Sequence, residues 1–475
     1  MRAEKTFDEK NPKDQANLKE ISVNEHFDVA VLGMGPGGEV AAERLLKAGK
    51  KVVIFERELI GGECAYWACI PSKTVLRPPE ARMEVQKAAG VSGAELDWDE
   101  TAKYRDYMIR NLDDKAQVNG YAKQGAEVVK EEARLTGPGR IRAGERDITA
   151  ENLIIATGSD PVMPPLEGME QITAWTNRET YTAPTLPERA VIIGGSAVGI
   201  ETATFLARFG VKVTLVHRGQ RLIDREDPRV GDLAHTYLQE TGIDVRLGAT
   251  AARARREGTD SIIELRQADG DGGEVAADVV IFGTGRTPRT KGLGFEHSGI
   301  TLGDRGEVLV DEYCRAGDNT WAIGDVTGIM PFTHVAKYQG RIAADAILGR
   351  SHPATYDGIP RVVFADPEIA AAGLTAHQAQ QRGLRVASAE LDLTKAIARP
   401  WTYEKDPRGH LGLLADADRK ILIGAWAIGP MAGEWIHQAS LAIRAQIPLD
   451  TLLDQVAQFP TYHEAYHAAL EKLDL

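Results

Sequence analysis

One pattern occurs twice in this chain at a fixed interval, and that duplication limits the available folds more than any other feature. A short apolar run, Phe27-Asp-Val-Ala-Val-Leu32, leads into Gly33-Met-Gly35-Pro-Gly-Gly38. A helical pattern then runs to Gly49, and a second apolar run, Lys51-Val-Val-Ile-Phe55, ends at Glu56. Downstream, Ala190-Val-Ile-Ile193 leads into Gly194-Gly-Ser196-Ala-Val-Gly199, a helix to Gly210, and Val211-Lys-Val-Thr-Leu-Val216 ending at His217. Gly33, Gly38, Gly49 and Glu56 are thus matched 161 positions later by Gly194, Gly199, Gly210 and His217. A lone glycine-rich turn is weak evidence, but four anchors in one register identify two βαβ units of the dinucleotide-binding kind and an α/β fold.

The spacing has a physical reason. Gly33 permits the sharp strand-to-helix turn, Gly35 lets backbone approach a pyrophosphate, and Gly38 lets helix and strand pack closely, with the phosphates at the positive helix N-terminus. In the second unit Ser196 replaces the middle glycine, a small residue that loosens the motif without abolishing it. At the end of the second strand, Glu56 suits a free 2′-hydroxyl, as in FAD or NAD. The matching His217 and Arg218, with Arg221 behind them, suit a 2′-phosphate and favour NADPH there, NADH being the alternative. The bland alternative is that these are solvated strand-end charges.

With 475 residues the chain has material for about two to four domains, and its 48 glycines exceed the usual share of ~7%. A net charge of −13 offers no field for nucleic acid or an anionic bilayer, so neither is an expected partner. No run of about 18 apolar residues occurs, and the first 25 residues lack a signal-peptide core, so a cytoplasmic protein with a mobile N-terminal arm is expected. Three cysteines cannot build a disulfide scaffold.

Two of those cysteines lie close together, in Gly61-Gly-Glu-Cys64-Ala-Tyr-Trp-Ala-Cys69-Ile-Pro-Ser-Lys73-Thr. On a regular helix, five residues rise about 7.5 Å, more than a disulfide spans. If Cys64 and Cys69 bond, the backbone between them is irregular, as the glycines before and Pro71 after allow. A zinc site lacks a second Cys or His pair at ligand spacing.

The segment closely resembles the class I pyridine nucleotide-disulfide oxidoreductases, the family of glutathione reductase, lipoamide dehydrogenase and mercuric reductase. The resemblance runs from about residue 26 to the C-terminus. It includes Ala156-Thr-Gly-Ser-Asp-Pro161, Gly285-Arg-Thr-Pro288, Trp321-Ala-Ile-Gly324-Asp325-Val, Thr333-His-Val-Ala336, Val362-Val-Phe-Ala-Asp-Pro-Glu368, Gly373-Leu-Thr375 and Gly429-Pro-Met-Ala-Gly-Glu434.

The resemblance implies cofactors, site residues and domain division. FAD would be held by the first unit, with Gly62, Thr157, Gly158, Gly324 and Asp325, while Gly285 and Arg286 would serve a cofactor at the second crossing. Cys69 would lie beside the flavin and Cys64 would be the outer, exchanging thiol. Lys73, near the flavin, would pair with Glu201 and tune its electron affinity. A homodimer is implied, because the family's active site borrows residues from its partner's C-terminus. The implied division is an FAD domain at 26–160 and 287–350, an NAD(P)H domain at 161–286, and an interface domain at 351–475.

The match fails at the C-terminus. Disulfide reductases of the family carry His-Pro-Thr-x-x-Glu there, the glutamate orienting a proton-exchanging histidine. Here Gln458-Phe459-Pro-Thr-Tyr-His463-Glu464 keeps the candidate catalytic Glu464 but puts Phe459 at the histidine position. Acid–base assistance is worth about 10²- to 10⁴-fold, so efficient reduction of glutathione or lipoamide disulfide is not expected unless His463 or His467 substitutes. No C-terminal thiol pair of the mercuric reductase kind is present. Trp67, between the cysteines, narrows access, stacks on a flat acceptor or simply packs. The expected activity is NADPH-dependent reduction of a small electron acceptor through FAD and the cysteine pair. The alternatives are direct flavin-to-quinone transfer and an FAD-binding redox sensor with little turnover.

Overall fold

The computed structural model describes residues 25–267 and 270–474. The expected N-terminal arm lies outside the described residues, apart from Glu25, which opens the first strand.

Glu25–Leu32 pairs in parallel with Val52–Phe55 on one side and Arg146–Ile155 on the other. Glu127–Val129 and Thr320–Ala322 extend the sheet in parallel at either side, and the hairpin Ala133–Gly137 with Arg140–Ala143 folds back beside Arg146–Ile155. Because a strand alternates its side chains, two cores grow from one strand. Val29 and Val31 join Val52, Ile54, Ala41 and Leu45 on the helix side. Ala30 and Leu32 join Val53, Phe55, Leu135, Ile141 and Phe295 on the other. Such burial of each large side chain contributes about 1.5–3 kcal/mol.

Pro36 opens the helix Pro36–Lys47, where its missing N–H is no loss. The buried stripe of this helix is Gly37, Gly38, Ala41, Ala42 and Leu45, small enough to seat the helix Thr333–Ile347 against it. A Cβ added at Gly340 of that second helix would press on the Gly37 carbonyl oxygen, so the two backbones touch.

The second unit repeats the plan with five parallel strands in the order Asp244–Leu247, Lys212–His217, Arg189–Ile193, Val279–Phe282, Ala174–Trp175. The chain enters and leaves this unit through a two-stranded antiparallel ribbon, Ser159–Pro161 against Arg286–Pro288. It then returns to the first sheet, since Thr320–Ala322 pairs with Arg146–Ile155.

The C-terminal part is a five-stranded antiparallel sheet in the order Pro360–Val363, Glu368–Gly373, Ile421–Gly429, His410–Asp416, Val386–Asp392. One face packs Ala370, Leu411, Leu413 and Ala427 against Trp435, Ile436, Ala439 and Tyr466 of the helices that follow. Ion pairs tie this part to the second unit: Arg361 to Glu226 at 2.7 Å and Arg229 to Glu390 at 2.9 Å.

Candidate active site

Cys64 lies in the short helix Gly62–Tyr66, and Cys69 is the first residue of the helix Cys69–Lys87. Between them Trp67 (φ −132°, ψ −4°) and Ala68 (φ −131°, ψ −94°) leave helical geometry. Pro71 supplies the reason. In a continuous helix it would have to donate to the Trp67 carbonyl, but it has no N–H and its ring clashes with that carbonyl. The break brings the two sulfurs together as free thiols that share a hydrogen bond.

The surroundings separate the two thiols electrically. The hydrogen bond from Cys64 lowers the Cys69 thiol to about 6, aided by Thr333, whose Oγ1 lies 3.3 Å from Sγ, and by the cation of Lys73. Position at a helix N-terminus favours the same thiolate. Its neighbour holds Cys64 the other way: the bond to Cys69, together with burial, raises that thiol. Lys73 Nζ donates to Glu201 Oε2 at 2.7 Å and lies 4.5 Å from the Phe364 ring centroid. The other oxygen of buried Glu201 accepts from Phe364 N–H at 3.1 Å, which fixes the carboxylate.

The first glycine-rich turn has room for a phosphate group. Gly33 (φ +95°) lies against Ala156, where any Cβ would collide, and a Cβ at Gly38 would strike the Gly33 carbonyl. Gly35 is different, since a Cβ there meets nothing within 4 Å. No side chain caps the helix that follows, so its first N–H groups remain for an anion. Gly62 brings a second backbone close, and its added Cβ would come 2.9 Å from Gly35 Cα. Glu56 closes the turn, accepting from Met34 N–H at 2.9 Å and Glu58 N–H at 2.7 Å. Burial raises the Glu56 carboxyl and pushes Glu39, in the first helical turn, up to about 7. A carboxyl that is partly protonated near neutrality adds little repulsion beside a pyrophosphate. These features fit FAD.

At the ribbon, Ser159 Oγ donates to Asp325 Oδ2 at 2.6 Å, and Arg286 Nε donates to Ser159 Oγ at 2.7 Å. Arg286 also lies 3.7 Å from Glu63 and 3.8 Å from Asp325, so it joins the thiol segment to the crossing. Thr157 Oγ1 donates to the Arg289 carbonyl at 2.7 Å, whereas Gly158 (φ +75°) and Gly285 (φ +113°) face open space. Gly324 (φ +77°) donates to Gln339 Oε1 at 2.6 Å and sets Asp325 in place.

The second turn copies the first. A Cβ at Gly194 would strike the Gly283 carbonyl, one at Gly199 the Gly194 carbonyl, and Ser196 Oγ donates to the Gly283 carbonyl at 3.0 Å. At the end of this strand His217 turns back onto the glycine-rich turn. Its Nδ1 accepts from Gly195 N–H at 3.2 Å, as Glu56 accepts from Met34, and burial lowers its pKa, so the ring is neutral. Its Nε2 is buried without a hydrogen-bond partner. Arg221 is engaged with Asp232 at 2.9 Å, while Arg218 is exposed.

At the C-terminus Phe459 is 75% exposed, and Glu464 accepts from Thr461 N–H at 3.2 Å. Of the two nearby histidines, His463 Nδ1 meets Gln438 Oε1 at 2.7 Å, and His467 lies 3.6 Å from Glu471. Trp67 stacks under the Arg178 guanidinium, 4.1 Å from its ring centroid, and tilts against Tyr66 at 5.8 Å, so one ring face already has a partner. Asn177, Arg178, Thr333 and Glu63 are site residues that motif spacing did not mark. Asn177 and Arg178 converge from a distant segment that carried no signal, whereas Thr333 and Glu63 lie in stretches that the motifs had already singled out.

Comparison with known proteins gives the family. Residues 27–340 match the family described as pyridine nucleotide-disulphide oxidoreductase, and residues 359–470 match its dimerisation domain. The chain belongs to the pyridine nucleotide-disulphide oxidoreductase family. A mercuric reductase of Streptomyces lividans is 33% identical, covering 94% of this chain and 96% of the relative. A dihydrolipoyl dehydrogenase of Geobacillus stearothermophilus is 32% identical over 94% and 95%. Among solved structures, the HOCl-induced flavoprotein disulfide reductase RclA from Escherichia coli superimposes with a TM-score of 0.83 at 26% identity, covering 94% of this chain and 100% of that one. RclA has also been solved as a Cu(II) complex. This protein is therefore a flavoprotein oxidoreductase of the disulfide reductase type, whose family uses FAD and NAD(P)H. The dimerisation domain supports a homodimer. Among the described residues, no helix of this oxidoreductase is long and apolar enough to cross a membrane.

Proposed function

We propose that the protein takes two electrons from NADPH and passes them, by way of FAD and the Cys64–Cys69 pair, to a small acceptor in the cytoplasm. The observation that carries this is the setting of the pair: Cys69 opens a helix, 3.3 Å from Thr333 Oγ1 and near Lys73, and with its bond from Cys64 this lowers its thiol, whereas the bond to Cys69 and burial raise Cys64. Paired thiols of unequal acidity suit internal exchange, one sulfur facing the electron source and the other the acceptor.

FAD would be held by Gly33, Gly35, Gly38, Glu56, Gly62, Gly158, Gly324 and Asp325, with Thr157 bracing the crossing, and NADPH by Gly194, Ser196, Gly199 and Arg218, with His217 as a neutral brace. Bound FAD supplies the chemistry that links a two-electron hydride donor to a thiol pair. Lys73, fixed by Glu201, holds positive charge beside Cys69, and Arg286 ties the ribbon to the thiol segment. The reading divides the chain into FAD parts at 26–160 and 287–350, an NAD(P)H part at 161–286 and an interface part at 351–475.

Phe459 shapes the acceptor class. A side chain without a titrating proton at the family's histidine position suits acceptors that leave without protonation, such as a thiophilic metal ion. That is in keeping with relatives named mercuric reductase and with RclA solved with Cu(II). The exposed Phe459 ring also favours a second reading, transfer to a quinone.

The test is NADPH oxidation by the flavin-replete enzyme with disulfides, quinones and metal ions, wild type against Cys64→Ser. The thiol route predicts a loss on the order of 100-fold or more in the variant at equal flavin content. Full activity of Cys64→Ser with quinones would establish direct flavin transfer instead, and slow turnover with every acceptor would indicate a sensor.

A further inference from the structure

We infer that Asn177 and Arg178 are positioning residues for the thiol pair. Reaching across from the second nucleotide-binding unit, they hold the non-helical turn at Trp67–Ala68 that keeps Cys64 and Cys69 within bonding reach, and so set the potential of the pair. The inference rests on the thiol route proposed above.

Pro71 leaves the Trp67 carbonyl without its helical donor, so the turn needs a donor from elsewhere. Asn177 Nδ2 provides it at 2.8 Å and also donates to Glu63 Oε2 at 3.2 Å. Asn177 is 7% exposed, so water is a poor substitute. Arg178 Nε donates to Glu63 Oε1 at 2.7 Å, its two Nη atoms reach Glu58 at 3.0 and 2.8 Å, and its flat face covers the Trp67 ring. The guanidinium holds Glu58 below the usual carboxylate range. Both residues stand in the first turn of the helix Asn177–Thr182, fixed by the Thr176–Glu179 capping box. The residue before Cys64 and the residues between the cysteines are thus held from one rigid helix end.

The consequence is thermodynamic. Without the clamp, the turn, which Pro71 still keeps from becoming helical, samples other non-helical geometries in which the cysteines separate, and a disulfide tolerates little of this. The dithiol has no such demand. Reduction breaks the Sγ–Sγ bond and takes up two electrons and two protons, or one proton where Cys69 stays ionised, so loss of the clamp makes the pair easier to reduce.

The test equilibrates flavin-replete wild type, Asn177→Ala, Arg178→Gln and Arg178→Lys in dithiothreitol redox buffers of graded ratio. The disulfide fraction is then read by alkylation and mass. The dithiol of the buffer supplies the electrons. The expected result is about a tenfold shift toward dithiol in Asn177→Ala and Arg178→Gln, a potential about 30 mV more positive. Arg178→Lys, which keeps the charge but loses the fork and the flat face, recovers less than half of the shift. Asn177→Ala alone decides if Arg178→Gln is isolated without flavin. Variants that coincide with a normally titrating wild type overturn the inference. A wild-type pair that does not form a disulfide at all overturns the thiol route itself, a distinguishable result.

Discussion

Cys69 and Cys64 are the same residue type five positions apart, yet the fold gives them opposite acidities. Cys69 receives a hydrogen bond from Cys64, a contact from Thr333, a nearby Lys73 and a helix N-terminus, and each of these favours the anion. Its thiolate is therefore present above about pH 6 and is lost as the pH falls through that value, far below the ordinary thiol value of about 9. Titration of thiolate ultraviolet absorbance in the reduced enzyme, wild type minus Cys69→Ser, is expected to show this ionisation near pH 6; one near 9 would remove the asymmetry on which the proposed route depends. The cysteine motif named both sulfurs, because local spacing records a local turn, and the family resemblance added Lys73. Asn177 and Arg178 stayed illegible, since nothing near them in the chain signals what they meet in space.

At the scale of elements, the two βαβ units test each other. Gly38 and Gly199 occupy matching places where an added Cβ would press on the carbonyl of Gly33 or Gly194. Such overpacking costs about 1–3 kcal/mol, or roughly five- to 150-fold in binding. Gly199→Ala is expected to raise KM for NADPH by about tenfold or more while flavin stays bound, and Gly38→Ala to yield flavin-depleted protein. Flavin absorbance per chain and initial-rate kinetics read the two effects separately; the same phenotype from both variants would refute the division of labour. These units were readable in the sequence because glycine spacing and apolar runs are local properties with a fixed period. The reading of His217 was not, since identity at a strand end does not say whether a ring faces solvent or folds under its own turn onto Gly195.

The whole molecule sets what an isolated chain cannot show. Phe459 projects 75% exposed from a C-terminal segment carried by the dimerisation domain, at the position where the resemblance places a partner-serving histidine. Phe459→His should raise turnover of small disulfides by about tenfold or more, part of the 10²- to 10⁴-fold that acid–base help typically supplies. The gain is expected only in the dimer, so activity followed across protein concentration, alongside sedimentation, checks both parts. No gain in a stable dimer would show that Glu464, which here holds Thr461 N–H, cannot orient a new imidazole.

Taken alone, the order of residues determined the two nucleotide-binding turns, the closely spaced cysteines and the α/β class, all written in short-range periodicity and spacing, while the phenylalanine at the histidine position was legible only through the family resemblance. Only the tertiary structure decided which sulfur ionises, which strand-end group remains charged, and which helix steadies the turn between the cysteines. Those outcomes depend on distances between residues more than a hundred positions apart, on burial, and on which carbonyl is left without a donor, and none of these is a property of any local stretch of chain.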